Sequence, residues 1–337
     1  MGIIRLLLTL GMLVVAAVIT WPQSVGLQTA PIFGQVVALR AGIALAALGL
    51  IVILLIVRLF PGFRKLSGAL ALVLVLCIIA NVGILAWRGF SGKTPTASAT
   101  SITVLEWNTE GENVPADTIA KLALAEHADI VTLPETTQAL GEAVALAMKA
   151  GGQPMWSNTV TFDGEYKAQS TTILLSPSLG NYTVTSYSGS GPPLNTNTVP
   201  TVVAKPESGT GPTIVAVHAV SPRAGQMANW RSDLSWVASQ CQGDDVILAG
   251  DFNSTVDNMA GLGTGGGTLG NCADAGIAAS GAAIGTWPTS LPSYLGAPID
   301  HVMATAKYRV TGFSVPSQYD SAGSDHRPLI TELELKD

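Results

Sequence analysis

The chain has 337 residues, 48% of them hydrophobic and only 12% charged, with a mean hydropathy of +0.41. Those values exclude a single ordinary soluble domain. The charges are also segregated: seven Lys and Arg and no acid precede residue 96, whereas ten basic and 23 acidic residues follow it.

Three apolar runs open the chain. Ile3 to Thr20 is broken only by Arg5, Val36 to Val57 only by Arg40, and Leu70 to Trp87 by no charge at all. About 20 apolar residues are needed to cross the hydrocarbon layer as a helix. The first run also has the form of a signal peptide, but no small-x-small site follows "AAVITWPQS" and two more runs come after it. A retained span is therefore expected. Arg58, Arg64 and Lys65 lie between the second and third runs, while Trp21 to Gln35 carries no charge. The positive-inside rule then places the N-terminus and the 58–65 loop in the cytoplasm and everything after about residue 90 outside the cell membrane. Arg40 is the one ionisable residue well inside a run, near an end from which it can snorkel. The spans read as an anchor, residues 1–90. "SGKTPTASAT", residues 91–100, reads as a polar linker, and residues 101–337 as the outer domain.

The outer domain carries strand-like runs at Ile102–Leu105, Ile130–Leu133, Thr171–Leu175, Tyr182–Ser186, Val199–Val203, Thr213–Val217, Val246–Ala249, Ile299–Ala304, Tyr308–Phe313 and Leu329–Leu333. Helical patterns lie at Ala116–His127, Ala139–Lys149 and Gln226–Ser239. This mixture predicts an α/β architecture with helices covering sheets. "GTGGGTLG", residues 263–270, lacks a following Gly-Lys-Ser/Thr and is a flexible loop, not a phosphate-binding one. Cys241 and Cys272 fall in the part expected to meet an oxidising compartment. A bridge between them closes a loop of about 30 residues and contributes about 3–4 kcal/mol in the chain-entropy model; two free thiols are the alternative.

Polar residues gather where the strands end. Asn108 and Glu110 follow the first strand, Glu135 the second, His218 the sixth, and Asp251 and Asn253 the seventh. Asp300 and His301 interrupt "PIDHVMA", and Asp325 and His326 precede the last strand. Strand-end loops are where rigid scaffolds hold reactive groups. Carboxylates and an amide are hard ligands that suit Mg²⁺ or Mn²⁺. With imidazoles and an Asp beside them, they suit attack of water on phosphorus.

Six segments, "LEWNTE", "DIVTLPE", "AVHAVSP", "ILAGDFNST", "GAPIDHVMA" and "GSDHRPLI", resemble in content and order those of the endonuclease–exonuclease–phosphatase family, which includes deoxyribonuclease I and neutral sphingomyelinases. The resemblance covers residues 102 to 333. It implies a four-layer α/β sandwich of two packed sheets flanked by helices, here preceded by three transmembrane helices. It implies that Asn108 and Glu135 hold the metal with Asp325 completing or supporting the site. Asp251 then orients or activates the water, Asn253 fixes the water or a phosphoryl oxygen, and His326 faces the phosphate, steered by Asp300, with His218 as a second imidazole. The sequence departs from the family at Pro134, where a Gln is usual, and near Ser170, where no acid stands to partner His218. His301 is read as packing, His127 as a surface residue, and Glu110 as either a support for the metal or a loop acid.

The substrate stays open at this level. Arg327, Arg223 and Arg231 are candidates to face a phosphate, and Trp287 in "GTWPTSLPSY" is a candidate wall of the site or a packed loop residue. A net charge of −13 on the outer domain, from the counts above, disfavours tight nucleic-acid binding. The expected substrate is a phosphorylated one at the membrane surface, such as a lipid headgroup or an envelope phosphodiester, attacked by a metal-dependent phosphodiesterase or phosphomonoesterase. An extracytoplasmic nuclease and a non-catalytic scaffold on the same fold are the alternatives.

Overall fold

A computed structural model describes residues 2–94, 101–185 and 189–336. The N-terminal helices are α1 (Gly2–Thr20), a short α2 (Phe33–Ala38), α3 (Arg40–Val57) and α4 (Arg64–Arg88). Three of these are long and apolar enough to cross a membrane. The second expected span breaks at Leu39, whose φ of −111° and ψ of 56° are not helical, so α2 and α3 are separate. Both α1 and α3 pack on α4 and scarcely touch one another.

The rest alternates strands and helices: β1 (Ser101–Glu106), α5 (Ala116–Ala125), β2 (Ile130–Pro134), α6 (Gln138–Ala150), β3 (Trp156–Thr161), β4 (Ser170–Leu175), β5 (Tyr182–Val184), β6 (Val202–Pro206), β7 (Thr213–His218), α7 (Met227–Gln240), β8 (Val246–Asp251), β9 (Ala273–Asp274), α8 (Ala275–Ala278), β10 (Asp300–Ala304), β11 (Tyr308–Ser314) and β12 (Leu329–Leu335). They form two six-stranded sheets, ordered β11-β12-β1-β2-β4-β3 and β5-β6-β7-β8-β10-β9.

Strand period sorts the core. Val104, Ile130, Ile214, Ile247 and Ala249 point between the sheets. Their neighbours Leu105 and Val131 point under α5 and α6, and Val215, Val217 and Leu248 point under α7. Strands covered on both faces read as continuous apolar runs, which is why they were legible. The result is the expected four-layer sandwich.

Local departures have local causes. The strand expected at Val199–Val203 begins only at Val202, because Pro200 cannot donate to a ladder. α5 stops at Ala125, and His127 takes a left-handed φ of 52° just past its end. β3 went unforeseen because its Ser157, Asn158 and Thr159 carry no apolar signal on a half-exposed edge. The end of the strand expected at Tyr182–Ser186, and most of the stretch read as a linker, lie outside the described residues. The start of that stretch is strapped down: Lys93 exchanges backbone hydrogen bonds of 2.9 and 2.7 Å with Phe313. Cys241 and Cys272 are joined by a disulfide, which ties the end of α7 to the loop before β9.

Arg40 corrects an expectation. It does not snorkel but is buried, with its guanidinium on Asp257 of the sheet-bearing part at 2.7 and 2.9 Å. Arg88, at the end of α4, holds the same carboxylate at 2.7 and 2.8 Å. Asn258 adds hydrogen bonds to the carbonyls of Gln28 and Gly34 at 2.8 and 3.0 Å. The helical bundle is thus bolted to the sandwich through buried polar contacts.

Candidate active site

Sheet register assembles half of the site. β7 and β8 run parallel with His218 opposite Asp251, and β10 runs antiparallel with Asp300 opposite Asp251. Matched register puts these three side chains on one face of neighbouring strands. The other sheet delivers Asn108 two residues past β1, Glu135 directly past β2, and Asp325 and His326 just before β12. Gly250 has to be glycine: its φ is 151°, and a Cβ there would lie 2.0 Å from the Val217 carbonyl oxygen. Only a bare backbone lets β8 stay beside β7 immediately before Asp251. Glu110, Glu135 and Asn253 hold left-handed φ values of 49°, 58° and 47°. Non-glycine residues seldom adopt that region, and they gather in it at functional sites.

Asp251 is buried at the centre. Its Oδ1 accepts from the Asn253 backbone N–H at 2.7 Å, and its Oδ2 accepts from the Asn108 and Asn253 side-chain amides at 3.0 and 3.1 Å. Asn253 also donates to the Ala219 carbonyl at 2.9 Å. The two groups flanking Phe252 thus meet over the site, while Phe252 packs into the α7 side of the core. His326 sets Nδ1 against both oxygens of Asp300 at 2.9 and 3.0 Å, and its Nε2 stands 3.9 Å from Asp251 Oδ2. Burial disfavours its charged form, but the Asp300 carboxylate outweighs that and raises its pKa to about 10. Burial, with Asp300 adding, pushes Asp251 up to about 7. Burial pulls His218 down to about 3, with the His326 charge acting the same way. Its Nδ1 is 3.4 Å from the Thr171 hydroxyl and its Nε2 3.9 Å from Glu135, so a hydroxyl stands where an acid was sought near Ser170.

These states are measurable. In the metal-free protein at pH 7, ¹⁵N-histidine ring spectra are expected to show His326 as imidazolium and His218 as neutral imidazole. The His326 charge has a raised folded pKa, so its stabilisation is complete below about 6.5 and is lost as pH rises through about 10. A His326 ring that titrates near 6.5 would refute the Asp300 pairing.

On the far side of Asp251, the Asn108 amide reaches Glu135 at 3.3 Å, and the Glu110 carboxylate accepts from the Asp325 backbone N–H at 2.9 Å. Burial raises the Glu135 pKa, and Asp325 and Glu110 push it further. Carboxylates pressed together in this way fit a hard divalent cation that offsets their charge; Asn108 turns its amide N–H groups to Glu135 and Asp251, and its Oδ1 accepts from the Glu110 backbone N–H at 2.9 Å. Asp251, Asp300 and His326 form a second cluster whose ligating atoms lie within 4.8 Å of one another. In that cluster the Asp300 and Asp251 carboxylates favour the protonated form of His326.

A cavity of about 490 Å³ opens over these groups, with Arg223 and Trp287 on its wall. The Trp287 indole N–H donates to Asp325 at 2.7 Å. Arg327 does not face the cavity. It is fully buried, its guanidinium spent on Asp320 and on the carbonyls of Gly285 and Leu291. Arg231 instead donates to the Thr29 carbonyl at 3.2 Å. His301 is locked between Asp274 and the Ser254 carbonyl at 2.7 and 2.8 Å, a packing role.

Two features escaped sequence reasoning. Glu106 is wholly buried, and burial, Asp300 and Asp251 raise its pKa well above the usual range against the opposing backbone N–H of Asn108. The only signal was a carboxylate closing an apolar strand. Gly34, Gln35, Ala38 and Leu39, from the helical bundle, form part of the cavity wall, and nothing in their sequence announces it.

A family model described as "Endonuclease/Exonuclease/phosphatase family" matches residues 105–326. No curated protein matches the sequence. Among solved structures, an endonuclease/exonuclease/phosphatase from Beutenbergia cavernae DSM 12333 superposes with TM-score 0.52 at 18% identity, covering 70% of this chain and 72% of that one. A humanized D. rerio TDP2 gives TM-score 0.53 at 17% identity, covering 69% and 99%. TDP2 from Caenorhabditis elegans gives 0.51 at 14%, covering 80% and 84%. At these identities the structures share the fold alone. The family model itself runs from the end of β1 to His326, through every strand end described above, and the chain belongs to the endonuclease/exonuclease/phosphatase family.

Proposed function

We propose that this protein hydrolyses a phosphoester with the help of a bound divalent metal, Mg²⁺ or Mn²⁺, on the outer face of a membrane that its three long N-terminal helices span. The observation that carries this reading is Asp251, buried between His326 and the Asn108–Glu135 carboxamide–carboxylate pair. In this reading Asn108, Glu135 and Asp325 hold the metal, which supplies positive charge against the phosphoryl oxygens when bound. Asp251 takes a proton from the attacking water, and Asn253 holds the carboxylate in place for it. His326, kept protonated by Asp300, donates to a phosphoryl oxygen, and neutral His218 faces the phosphate from the opposite strand. Arg223 and Trp287 border the substrate.

Residues 1–90 act as the membrane unit and 101–337 as the catalytic unit. The ends of α3 and α4 at Arg40 and Arg88 meet the sandwich at Asp257, and Thr20 at the end of α1 accepts from Arg40. Arg58, Arg64 and Lys65 cluster at the opposite end, and the positive-inside rule puts that end in the cytoplasm. A nuclease is disfavoured, because Arg223 is the one Lys or Arg on the cavity wall among the described residues. A scaffold is disfavoured, because Glu135 and Asn108 are in place and the cavity is open.

The test uses the full chain in detergent with an aryl phosphodiester, an aryl phosphomonoester and plasmid DNA. Turnover of at least one aryl ester is expected with Mg²⁺ or Mn²⁺, abolished by chelator and restored by added metal. Turnover that survives the chelator, or none on any ester despite measured metal binding, would refute the reading; preference for DNA would favour the nuclease.

A further inference from the structure

The wall contributed by the helical bundle has a second face. α2 turns Gly34, Gln35 and Ala38 toward the catalytic cavity and Val36 toward an apolar groove of about 410 Å³ among the spanning helices. One wall of the groove is the α1 stripe Met12, Ala16 and Ile19, and the other is Ile43, Ala46 and Leu50 of α3. α1 and α3 each lean on α4 without closing on one another, so the groove lies between them. Leu39, at the break between α2 and α3, lines both spaces. Each space is of ligand size, about 300–1,000 Å³. One is charged and reactive, and the other is purely hydrocarbon-like.

We propose that the two are halves of one substrate site, and that the substrate is a membrane phospholipid: its phosphoester sits over Asp251 and His326, and one straight acyl chain lies in the α1–α3 groove. This rests on the phosphoesterase reading and adds its substrate class. Leu39, the wall residue that the two spaces share, is the argument for the groove's occupant. A groove within spanning helices is bathed in phospholipid chains, and a chain entering it brings its own headgroup to the break at Leu39. The reacting phosphate then need not leave the interface. The step is plain hydrolysis: water oxygen bonds to phosphorus, one P–O ester bond breaks, and the leaving alcohol takes the proton that Asp251 removed from the water.

The full chain in nanodiscs is given p-nitrophenyl phosphodiesters whose second alcohol is methyl, hexadecyl or farnesyl, with Mg²⁺ or Mn²⁺. The wild-type protein is expected to prefer the hexadecyl over the methyl ester. Ala46→Phe on one wall, and Ala16→Phe on the other, are expected to lower that kcat/KM ratio about tenfold or more, because each fills the space of several buried methylenes. Leu45→Phe, on the lipid-facing side of α3, controls for partitioning and should leave the ratio unchanged. An equal ratio in all four proteins overturns the groove, and a tenfold preference for farnesyl overturns the straight chain. If no ester is turned over, the phosphoesterase reading has failed by itself. The groove is then read with hexadecyl phosphate carrying a terminal diazirine. Labelling of residues 12–19 and 42–50 that is competed by hexadecyl phosphate and lost in Ala46→Phe sustains it; labelling indifferent to Ala46→Phe overturns it.

Discussion

Asp251→Asn is expected to cut metal-dependent phosphoester turnover by about 10²–10⁴-fold, the span for losing a positioned proton acceptor, without lowering the thermal stability of the metal-free protein. The two halves of this expectation have one cause. Asp251 sits in a buried cluster with Asp300 and Glu106, and burial and Asp300 together raise its pKa to about 7. An acid whose folded pKa is raised binds more protons folded than unfolded. Its ionised form therefore costs stability, and the cost grows as pH rises from about 4 through about 7. Asparagine keeps the shape and removes the charge; its one oxygen cannot accept all the hydrogen bonds that the two Asp251 oxygens take, and the relieved charge offsets that loss at neutral pH. The reaction loses its base. The measurement pairs kcat with a thermal midpoint in chelator. A variant that keeps a tenth of its activity would remove Asp251 from the chemistry, and one that is both inactive and unstable would make it a structural residue. Such a stability–function trade is common at active sites.

Much of this site was legible because reactive groups interrupt apolar strands at their ends, and such interruptions stand out against Val, Ile and Leu. The sandwich was legible for the same reason, since doubly covered strands are apolar throughout. What could not be read was who meets whom. Asp300 clamps His326 across 26 residues and Asn108 reaches Asp251 across 143, and those distances are set by sheet order. Arg327 stands next to His326, which suggested a phosphate contact. Yet its planar fork of donors is matched by backbone carbonyls and Asp320, and a buried guanidinium settles where its donors are satisfied. Arg40 misled in the opposite way. An arginine near the end of an apolar run ordinarily snorkels to water, and its partner Asp257 lies 217 residues away in sequence. The bundle's share in the catalytic cavity followed from that one misplacement, because Leu39 is adjacent to Arg40.

Asp257→Ala is expected to be the most damaging single change away from the chemistry, lowering the unfolding free energy of the full chain in detergent by about 3–5 kcal/mol. Asp257 accepts four hydrogen bonds from Arg40 and Arg88, and its own side chain is only 2% exposed. Burial alone would push its pKa up, but the Arg88 and Arg40 guanidinium groups outweigh that and hold it below the usual carboxylate value. Its stabilisation is therefore present above the ordinary Asp pKa of about 4 and is lost as pH falls through the lower folded value. Removing the carboxylate leaves two buried guanidinium groups with no counter-charge. Removing one arginine instead leaves a balanced pair, so Arg40→Leu should cost less than Asp257→Ala even though it deletes the larger side chain. That ordering separates charge from packing. If volume alone mattered, the arginine variant would be the weaker protein. The same change should open the joint between bundle and sandwich, which protease cleavage within residues 21–39 would report. With Arg40 unpaired, Leu39 and the α2 wall lose their hold beside the cavity, so the hexadecyl ester should suffer more than the methyl ester. An Asp257→Ala protein as stable as wild type, with residues 21–39 still protected, would show that the bundle and the sandwich are joined without this ion triad.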